Sequence, residues 1–450
     1  MKKTQKLRYN STFNFRIKNG SKYMYYYSVL PGNNAKLIEN CILTRNNWEK
    51  LPQDSKDCRC NLLFTPLSNE IDYLLHKNIY LTHVVNHFES HCELSNKKNL
   101  FINLLRYCEL HNKNLFQFFP LTIILSLNQK NFDSQLAGFR KCYKDLPNLI
   151  DDGENPCKLD KTYSSYFSVN LSKQVGSKQK ILIPKTHYTG CNIWLIKRVN
   201  LNRGRQIHIM SNVDKLINEI KEIKNETKLH YLILQKYIED PLLYYSKKFD
   251  IRIWVLFTYM LRDEKYEFYV FKEGHLKSCS ESYNMTSNNL YVHLTNYSVQ
   301  KYNKNFSKDD IGNEISFEKF QNFLDQKKKK INFKEDILTN IIQIIEITIN
   351  AVKNKINIMD RKNCFEIFGY DFILDKNYNP FLLEINTNPG YEESSPLIKM
   401  LVPRMIDDAF RLTIDKLFER KENDQYKNKS KFHVEGYGDD ENMWQKIKFK

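Results

Sequence analysis

The sequence predicts an α+β fold, and three features of its 450 residues support that prediction. From Ile181 onward, short apolar runs rich in β-branched and aromatic residues recur, such as FDIRIWVLFTYM and FEIFGYDFILD. Longer stretches with apolar residues at helical spacing lie between or after these runs. Hydrophobic residues make up 41% of the chain, which is enough apolar material for a sizeable core. Mixed strands and helices indicate an α+β architecture rather than a helical bundle.

The amino-acid composition and the apolar spacing divide the chain into three parts. Residues 1–85, rich in Asn, Lys and Tyr, predict an accessory region of short strands and loops. Residues 86–420 predict the main domain, with helices in NLFINLLRYCELH, ILTNIIQIIEITINAVKNKI and LIKMLVPRMIDDAFRLTIDKLFER. The last of these helices is expected to break near Pro403. Residues 421–450 form a charged tail that we expect to be loose.

The net charge of +17 implies an acidic partner. Nucleic acid, an anionic membrane and an acidic protein surface all satisfy this condition, and charge alone does not choose among them. No aromatic-basic RNA motif or zinc finger supports a nucleic-acid-binding protein, so we expect no nucleic acid partner.

Cysteine usage and the N-terminus predict a soluble cytoplasmic protein. The ten cysteines are irregularly spaced, and the single C-x-C pair, Cys58 and Cys60, has no second pair at zinc-ligand spacing. We therefore expect free thiols in a reducing compartment. The N-terminus lacks the apolar segment of a secretory signal, and the apolar run LTIILSL is too short to span a bilayer.

The strongest local signal is a predicted hairpin near the C-terminal end of the main domain. The β-like runs GYDFIL and PFLLEIN flank the polar turn DKNYNP. Side chains alternate along a strand, so Glu384 and Asn386 should share one face while Leu383 and Ile385 take the other. If the hairpin closes symmetrically, Asp371 lies opposite Glu384.

Two carboxylates and an amide oxygen on adjoining strands suit Mg²⁺, which prefers a few hard oxygen ligands completed by water and phosphate. The alternative is that Asp371 and Glu384 are ordinary solvent-facing strand residues. Their apolar neighbours in the sequence favour the metal interpretation, because a charge within such a run needs a partner.

Three further segments carry weaker signals, and the second of them contains two strands, YLILQKYI and FDIRIWVL. In NIWLIKRVNLNRGRQIHI, a strand ends at Lys197 and a basic loop containing Arg203 and Gly204 follows, which suits a phosphate clamp but is common as an ordinary loop. YLILQKYI predicts a buried strand whose end offers backbone groups to an adenine. In FDIRIWVL, Asp250 and Arg252 share a strand face, either as part of a site or as a structural ion pair. The polar cluster in YVHLTNYS is equally consistent with a turn.

Together the segments QKYIEDPLL, KKFDIRIWVL, VHLTNYSVQK and FEIFGYDFILD…PFLLEINTNP resemble the tubulin tyrosine ligase-like family over roughly residues 95–420. The resemblance implies an ATP-grasp architecture, in which the nucleotide is held between two α+β lobes. It also implies an ATP-dependent carboxylate–amine ligase that joins an amino acid to a protein tail through an acyl phosphate.

The resemblance also implies roles for individual residues. It implies nucleotide contacts from Lys197, Arg203, Gly204, Gln235, Lys236, Tyr237, Ile238, Lys248, Asp250 and Asn296. It implies that Arg252 lies near the γ-phosphate and that, with Glu384, it acts in catalysis. It implies Mg²⁺ ligands at Asp371, Glu384 and Asn386, with two ions per site and Mn²⁺ as an alternative.

Two departures from the family pattern bear on activity. Arg198 stands where the family often has proline, and Gln206 stands where the loop usually has a second glycine. Losing that glycine removes backbone freedom where the chain approaches phosphate. A catalytically weak, microtubule-binding member is therefore an alternative hypothesis, which the intact acidic set argues against.

The implied partners are tubulin or microtubules, through their acidic C-terminal tails, and an amino acid. Features of the four segments rank glycine first, glutamate close behind and tyrosine third. The resemblance places such a protein in the cytoplasm on the cytoskeleton, and in cilia.

Overall fold

The computed structural model describes residues 24–32, 34–51, 60–73, 83–151, 153, 157–166, 179–199, 206–226, 228–306, 313–327, 330–387, 389–391 and 394–449. Its strands are β1 (Tyr25–Val29), β2 (Trp48–Lys50), β3 (Leu62–Phe64), β4 (Val84–Val85), β5 (Thr122–Ser126), β6 (Ile150–Asp151), β7 (Ile183–Pro184), β8 (Trp194–Arg198), β9 (His208–Met210), β10 (Tyr231–Lys236), β11 (Leu243–Tyr244), β12 (Lys247–Tyr259), β13 (Glu267–Ser278), β14 (Glu314–Ile315), β15 (Cys364–Leu374), β16 (Pro380–Thr387) and β17 (Trp444–Lys446). Its helices are α1 (Ala35–Ile42), α2 (Cys92–Ser95), α3 (Lys97–Leu110), α4 (Phe132–Asp145), α5 (Tyr163–Tyr166), α6 (Val213–Glu226), α7 (Leu290–His293), α8 (Tyr297–Gln300), α9 (Phe317–Asp325), α10 (Leu338–Val352), α11 (Pro396–Leu412) and α12 (Ile414–Leu417). This mixture of strands and helices confirms the mixed character predicted from the sequence.

The described strands form one large sheet and one smaller sheet. The large sheet has the order β14-β13-β12-β15-β4-β3-β1-β2, with β11, β16 and β17 paired at its sides. Its long central strands, β12, β13, β15 and β16, are antiparallel. The small sheet has the antiparallel order β5-β10-β8-β9.

Hydrophobic cores cover both faces of the large sheet. Alternation along β12 places Ile251 and Ile253 in a core shared with α3 and α10, whereas Trp254 and Leu256 belong to a core shared with α1 and α11. This period-two pattern explains why the strand reads as an almost continuous apolar run. A polar residue in such a strand must therefore face a partner or a site.

Residues 24–85 contribute four short strands to the same large sheet rather than to a separate one. β4 runs parallel to β15, and β1 runs parallel to both β2 and β3. The predicted short strands are thus present in the described part of this region, together with the helix α1.

The expectation that the chain after residue 420 is loose is wrong. β17 pairs with β13, and Trp444 is only 4% exposed. The fully buried guanidinium of Arg404 donates hydrogen bonds to the backbone oxygens of Phe432, Gly438 and Glu441. Because this cation would otherwise have buried donors without acceptors, the tail segment completes the packing around α11.

The predicted helices are present, but the break is misplaced. α11 continues through Pro403 and ends at Leu412, and α12 follows after Thr413. The apolar face of α11, which includes Ile398, Val402 and Met405, is buried on both sides of the proline. That burial outweighs the roughly 3 kcal/mol that a proline costs inside a helix.

Two further expectations concern membrane-spanning helices and disulfide bonds. No helix within the described ranges is both long enough and apolar enough to cross a bilayer. No disulfide joins the nine cysteines that the structure describes, and Cys58 lies outside the described residues.

Candidate active site

A cleft lies between the small sheet and the central strands of the large sheet. Its space, including the solvent-open mouth, is about 710 Å³. The residues predicted from the sequence that line it are Lys197, Gln235, Lys236, Tyr237, Ile238, Lys248, Asp250, Asn296, Asp371 and Glu384. Long-range folding therefore brings four separate sequence segments to one place.

The predicted hairpin is confirmed. β15 and β16 are antiparallel, and Asp371 pairs with Glu384. The turn is closed by the side chain of Asp375, whose carboxylate accepts hydrogen bonds from the backbone amides of Asn377 and Asn379. Such side-chain capping is the reason that Asp and Asn are common in turns.

The predicted strand faces hold except at one residue. The pairing shifts after Asp371, which leaves Leu383 as the extra residue of a β-bulge. Leu383 therefore lines the cleft beside Glu384, while Ile385 is buried in the core. The expectation that Leu383 and Ile385 share a face is wrong, because strict alternation does not survive a bulge.

Asp371 is a buried carboxylate held between two cations. Arg252 donates two hydrogen bonds to it, from Nε to Oδ1 at 2.7 Å and from Nη2 to Oδ2 at 3.0 Å. Lys277 Nζ donates to Oδ1 at 2.7 Å. Burial alone would raise the pKa of Asp371, but Arg252 and Lys277 hold it well below its ordinary value. The carboxylate is therefore ionised at neutral pH.

Glu384 lies beside Asp371 and is also ionised. Burial opposes ionisation, and the neighbouring Lys97 and Lys197 still keep the pKa of Glu384 below its ordinary value. Lys97 Nζ lies 3.4 Å from Glu384 Oε2. Asn386 Nδ2 lies 3.2 Å from an oxygen of each carboxylate, so the third predicted ligand bridges the acidic pair without lining the cleft.

Arg252 reaches Asp371 because residue 369 has no side chain. A Cβ built on Gly369 would lie 3.0 Å from Arg252 Nη1 and 2.9 Å from Pro389 Cβ. Both contacts are closer than ordinary packing allows, so the glycine leaves room for the guanidinium. Arg252 does not line the cleft itself, and it forms its ion pair with Asp371 rather than with Asp250.

Lys197 lies on β8 in the wall formed by the small sheet. Its ammonium donates to Gln235 Oε1 at 2.6 Å, and Gln235 Nε2 donates to Thr122 Oγ1 at 3.0 Å. Burial lowers the pKa of Lys197 to about 8, with Glu384 opposing the shift. A desolvated ammonium facing an open cleft gains much from an anionic ligand.

The predicted adenine segment lies at the end of β10. Lys236 is fully buried, and its ammonium donates to Glu239 Oε1 at 2.6 Å and to the backbone oxygen of Ile193 at 2.8 Å. The Tyr237 hydroxyl lies 3.0 Å from Nδ1 of His293. These interactions fix the strand end, which leaves the wall of the cleft rigid.

Three residues predicted to contact the nucleotide, Lys248, Asp250 and Asn296, lie in the wall of the cleft opposite Lys197. Lys248 Nζ donates to the backbone oxygen of His293 at 2.9 Å and lies 3.6 Å from Asp250 Oδ1. The Thr295 hydroxyl donates to Asp250 Oδ2. Asn296 follows Thr295 along the rim, so the polar cluster noted in the sequence is part of the cleft.

The predicted phosphate loop is only partly described. Arg203 and Gly204 lie outside the described residues. Gln206, which stands where a glycine was expected, has a φ of 53° and therefore adopts the left-handed conformation that glycine tolerates best. Arg198 is half-buried, and its Nε has no hydrogen-bond partner within the described part of the chain.

Sequence reasoning missed two cations of the site, Lys97 and Lys277, and recognised His293 and Thr295 only as members of a polar cluster without a role. Lys277 could have been found, because it pairs directly with Asp250 across β12 and β13 and therefore shares its face of the sheet. Lys97 could not, because it begins α3 and meets Glu384 only through the tertiary fold.

The donor set of the hairpin fits a divalent cation that carries phosphates. Asp371 and Glu384 supply hard oxygen atoms that suit Mg²⁺, whereas Asn386 turns its amide nitrogen toward both carboxylates and would offer its Oδ1 only after its amide group rotates. Four nearby cations, Lys97, Lys197, Arg252 and Lys277, outnumber the two carboxylates of the hairpin, which makes this part of the cleft suitable for an anionic ligand.

A second group with metal-binding residue types lies at His87, His91 and Glu366. His87 Nδ1 lies 3.0 Å from Glu366 Oε1, and His87 Nε2 lies 3.0 Å from the backbone oxygen of Thr65. His91 Nε2 lies 2.7 Å from Ser68 Oγ. Because the histidine nitrogens already have partners, this cluster is better described as a hydrogen-bonded network.

Comparison with known proteins finds a family match over most of the chain. Residues 75–424 match the model of the tubulin-tyrosine ligase family. The chain is 33% identical to tubulin glycylase 3B of Tetrahymena thermophila over 255 residues, which are 56% of this chain and 21% of that protein. It is 31% identical to tubulin glycylase 3A of Drosophila melanogaster over 249 residues, 54% of this chain and 24% of that protein.

A longer match extends to a different kind of relative. The chain is 26% identical to tubulin polyglutamylase TTLL5 of Mus musculus over 404 residues, which are 87% of this chain and 25% of that protein. The chain therefore spans only about a quarter of the length of the curated relatives it matches.

Proposed function

This chain belongs to the tubulin-tyrosine ligase family, and from that premise we propose that it is an ATP- and Mg²⁺-dependent ligase that adds an amino acid to tubulin. The acceptors are glutamate side chains in the acidic C-terminal tails. The proposal includes an ATP-grasp arrangement, with the nucleotide in the cleft between the two sheets. The observation that carries it is the convergence of Asp371, Glu384 and Lys197 on one open cleft, with Arg252 bound to Asp371 behind it.

The reaction needs activation because a carboxylate and an amine form a salt in water rather than an amide. The acceptor carboxylate attacks the γ-phosphorus of ATP, which gives an acyl phosphate and releases ADP. The amino group of the incoming amino acid then attacks the acyl carbon, and phosphate leaves. The protein contributes mainly by positioning the reactants and balancing charge.

The residues of the cleft have distinct tasks in this scheme. Lys197 and Lys277 bind phosphate oxygens, and Arg252 stabilises charge that develops during transfer. Asp371, Glu384 and Asn386 would hold Mg²⁺, which neutralises and orients the polyphosphate when bound. The segment from Gln235 to Ile238 holds the base.

The excess of positive charge supports an acidic protein partner. A net charge of +17 would steer the chain toward glutamate-rich tails. Such a partner places the protein on the cytoskeleton, and the proposal includes microtubules of cilia.

Glycine is the favoured amino acid, because the relatives named glycylases are the more similar ones at 31–33% identity. Glutamate is the second candidate, because the match to a tubulin polyglutamylase covers 87% of the chain.

The test is to incubate the purified chain with microtubules, Mg²⁺, ATP and labelled glycine, glutamate or tyrosine in turn. Mass spectrometry of the tails identifies the residue added. Glu384→Gln should abolish incorporation, whereas Glu318→Gln, at an exposed position on α9, should not change it. Incorporation by the Glu384 variant at the normal rate would exclude the proposed site, and a wild-type chain that modifies no tail would exclude the function.

A further inference from the structure

The large sheet carries a patch of exposed apolar side chains at the end of β12 that lies opposite the cleft residues. The loop after α10 presents Ile358 and Met359, which are 69% and 51% exposed. The β12–β13 turn presents Leu261, the segment after β17 presents Phe449, and each of these is 42% exposed. The ring of Phe449 lies 5.4 Å from that of Phe268 on β13. We call Leu261, Ile358, Met359 and Phe449 the distal patch.

Hydrogen bonds and ring contacts hold the three segments of the distal patch together. The backbone amide of Leu261 donates to Asn363 Oδ1 at 2.8 Å, which joins the turn to the loop. Asn357 Nδ2 donates to the Tyr266 hydroxyl at 3.1 Å, and the rings of Tyr266 and Phe268 lie 6.3 Å apart. The exposed side chains therefore belong to one surface rather than to scattered positions.

The loop after α10 has its polar side chains inside and its apolar side chains outside. Asn357, Arg361 and Asn363 are only 2%, 5% and 6% exposed. Asn357 Nδ2 donates to the backbone oxygen of Arg361 at 2.8 Å, and the backbone amide of Arg361 donates to Asn357 Oδ1 at 3.2 Å. Asn357, Asp360 and Asn363 have φ of 54°, 50° and 60°, a left-handed conformation that is unfavourable for residues with a Cβ. Since isoleucine and methionine are usually buried, a fixed loop with the reverse arrangement is suited to present them to a partner.

Positive charge surrounds the distal patch. The flanking cations in the turn and the loop are Arg262, Lys265, Lys353, Lys355 and Lys362. The exposed carboxylates among the described residues of the same turn and loop are Glu264 and Asp360. A further carboxylate, Asp263, already pairs with Lys416 at 3.1 Å. The surface is therefore apolar at its centre and basic at its margin, which suits an anionic partner.

We propose that the distal patch docks on an anionic lipid surface. The four apolar side chains enter the outer part of the acyl layer, and the flanking cations lie at the level of the headgroup phosphates. A lipid layer yields to projecting side chains such as Ile358 and Met359, whereas a protein partner needs a groove shaped to receive them. The inference concerns a second partner and does not depend on the proposed ligase function.

The test is flotation of the purified full chain with vesicles of phosphatidylcholine, prepared with or without phosphatidylserine. The wild type should bind the phosphatidylserine vesicles about tenfold or more tightly, and added salt should weaken this binding. Ile358→Ser should lower the affinity about fivefold or more, because one aliphatic side chain no longer enters the lipid. Leu110→Ser is the matched control, since it removes a leucine that is 79% exposed at the end of α3, and it should bind as the wild type does.

Arg262→Gln separates the contribution of charge from that of apolar contact. It should lower the affinity for phosphatidylserine vesicles and also reduce the dependence of that affinity on salt. Ile358→Ser should leave the salt dependence unchanged, because it removes no charge. Both residues are exposed, so the Tm of each variant should equal that of the wild type. A salt dependence that Arg262→Gln does not alter would contradict the role of the flanking cations and overturn the inference.

The remaining outcomes separate a lipid partner from a protein partner and from the ligase proposal. Wild-type protein that binds no vesicles, that binds both kinds equally, or that binds no better than Ile358→Ser would overturn the inference. If vesicles are not bound and Ile358→Ser instead lowers co-sedimentation with microtubules, the distal patch is a protein-docking surface and the inference is wrong. Ligation to a free tail peptide tests the proposed function separately, and Ile358→Ser should not change its rate.

Discussion

Replacing Gly369 of β15 with alanine should displace Arg252 and so lower the activity of the proposed ligase. The new Cβ would lie 3.0 Å from Arg252 Nη1 and 2.9 Å from Pro389 Cβ. Contacts this short force neighbours to move, and overpacking of this kind costs about 1–3 kcal/mol. Arg252 is the easier group to displace, and it would lose its paired hydrogen bonds to Asp371. Misplacing such a charge by about 1 Å commonly costs on the order of 100-fold in rate.

The assay is ATP-dependent incorporation of the amino acid into microtubule tails, with thermal unfolding measured in parallel. Because the entropy of unfolding grows with chain length, the expected loss of stability lowers the Tm by only about 1–3 °C. Gly390→Ala is the matched control, since a Cβ there meets no atom within 4 Å. If Gly369→Ala kept normal turnover and a normal Tm, Arg252 would have room that the structure does not give it, and the argument would be wrong.

Four further outcomes are expected. In Gln206→Gly the left-handed conformation no longer costs the roughly 1–2 kcal/mol that it costs a residue with a Cβ, so the KM for ATP should fall; an unchanged KM and Tm would contradict this. Burial lowers the pKa of Lys197 to about 8, so its positive charge is lost as the pH rises through that value, and ATP affinity should fall there; in Lys197→Arg, whose charge persists, the affinity should stay level. Asp371→Asn frees Arg252 and Lys277, so metal-free ATP in EDTA should bind this variant at least as tightly as the wild type, while Mg·ATP binds it more weakly; isothermal titration gives both values. Raising the ionic strength should increase the KM for microtubules, and a KM insensitive to salt would exclude electrostatic steering.

The hairpin and the strands of the cleft could be predicted from the sequence because their signals are local. Polar turn residues between apolar runs fixed the hairpin, and period-two alternation placed Asp250, Arg252 and Trp254 on one face. The pairing of Asp371 with Glu384 followed from closing that hairpin. These inferences need only strand geometry, which acts over a few residues.

The features that escaped prediction depend on tertiary contacts. The bulge at Leu383 is an interruption of alternation that the sequence PFLLEIN does not signal. The tail after residue 420 has the composition of a loose segment, yet buried Arg404 requires its backbone oxygens. The helix α11 passes through Pro403 because packing on both sides outweighs an intrinsic preference. In each case a long-range interaction overrode a correct local tendency.

The charged side chains of the cleft pair with one another, and they could also pair with a polyphosphate and a divalent ion. Without a ligand, Asp371 satisfies Arg252 and Lys277, so neither cation is buried alone. A polyphosphate offers the same cations a new anionic partner, and a divalent ion offers the carboxylates a new cationic one. Binding thus exchanges partners instead of creating unpaired charges, which keeps the desolvation cost small. In the proposed ligase, the acidic hairpin would therefore also position Arg252 and Lys277 for the phosphates, because Asp371 binds both cations.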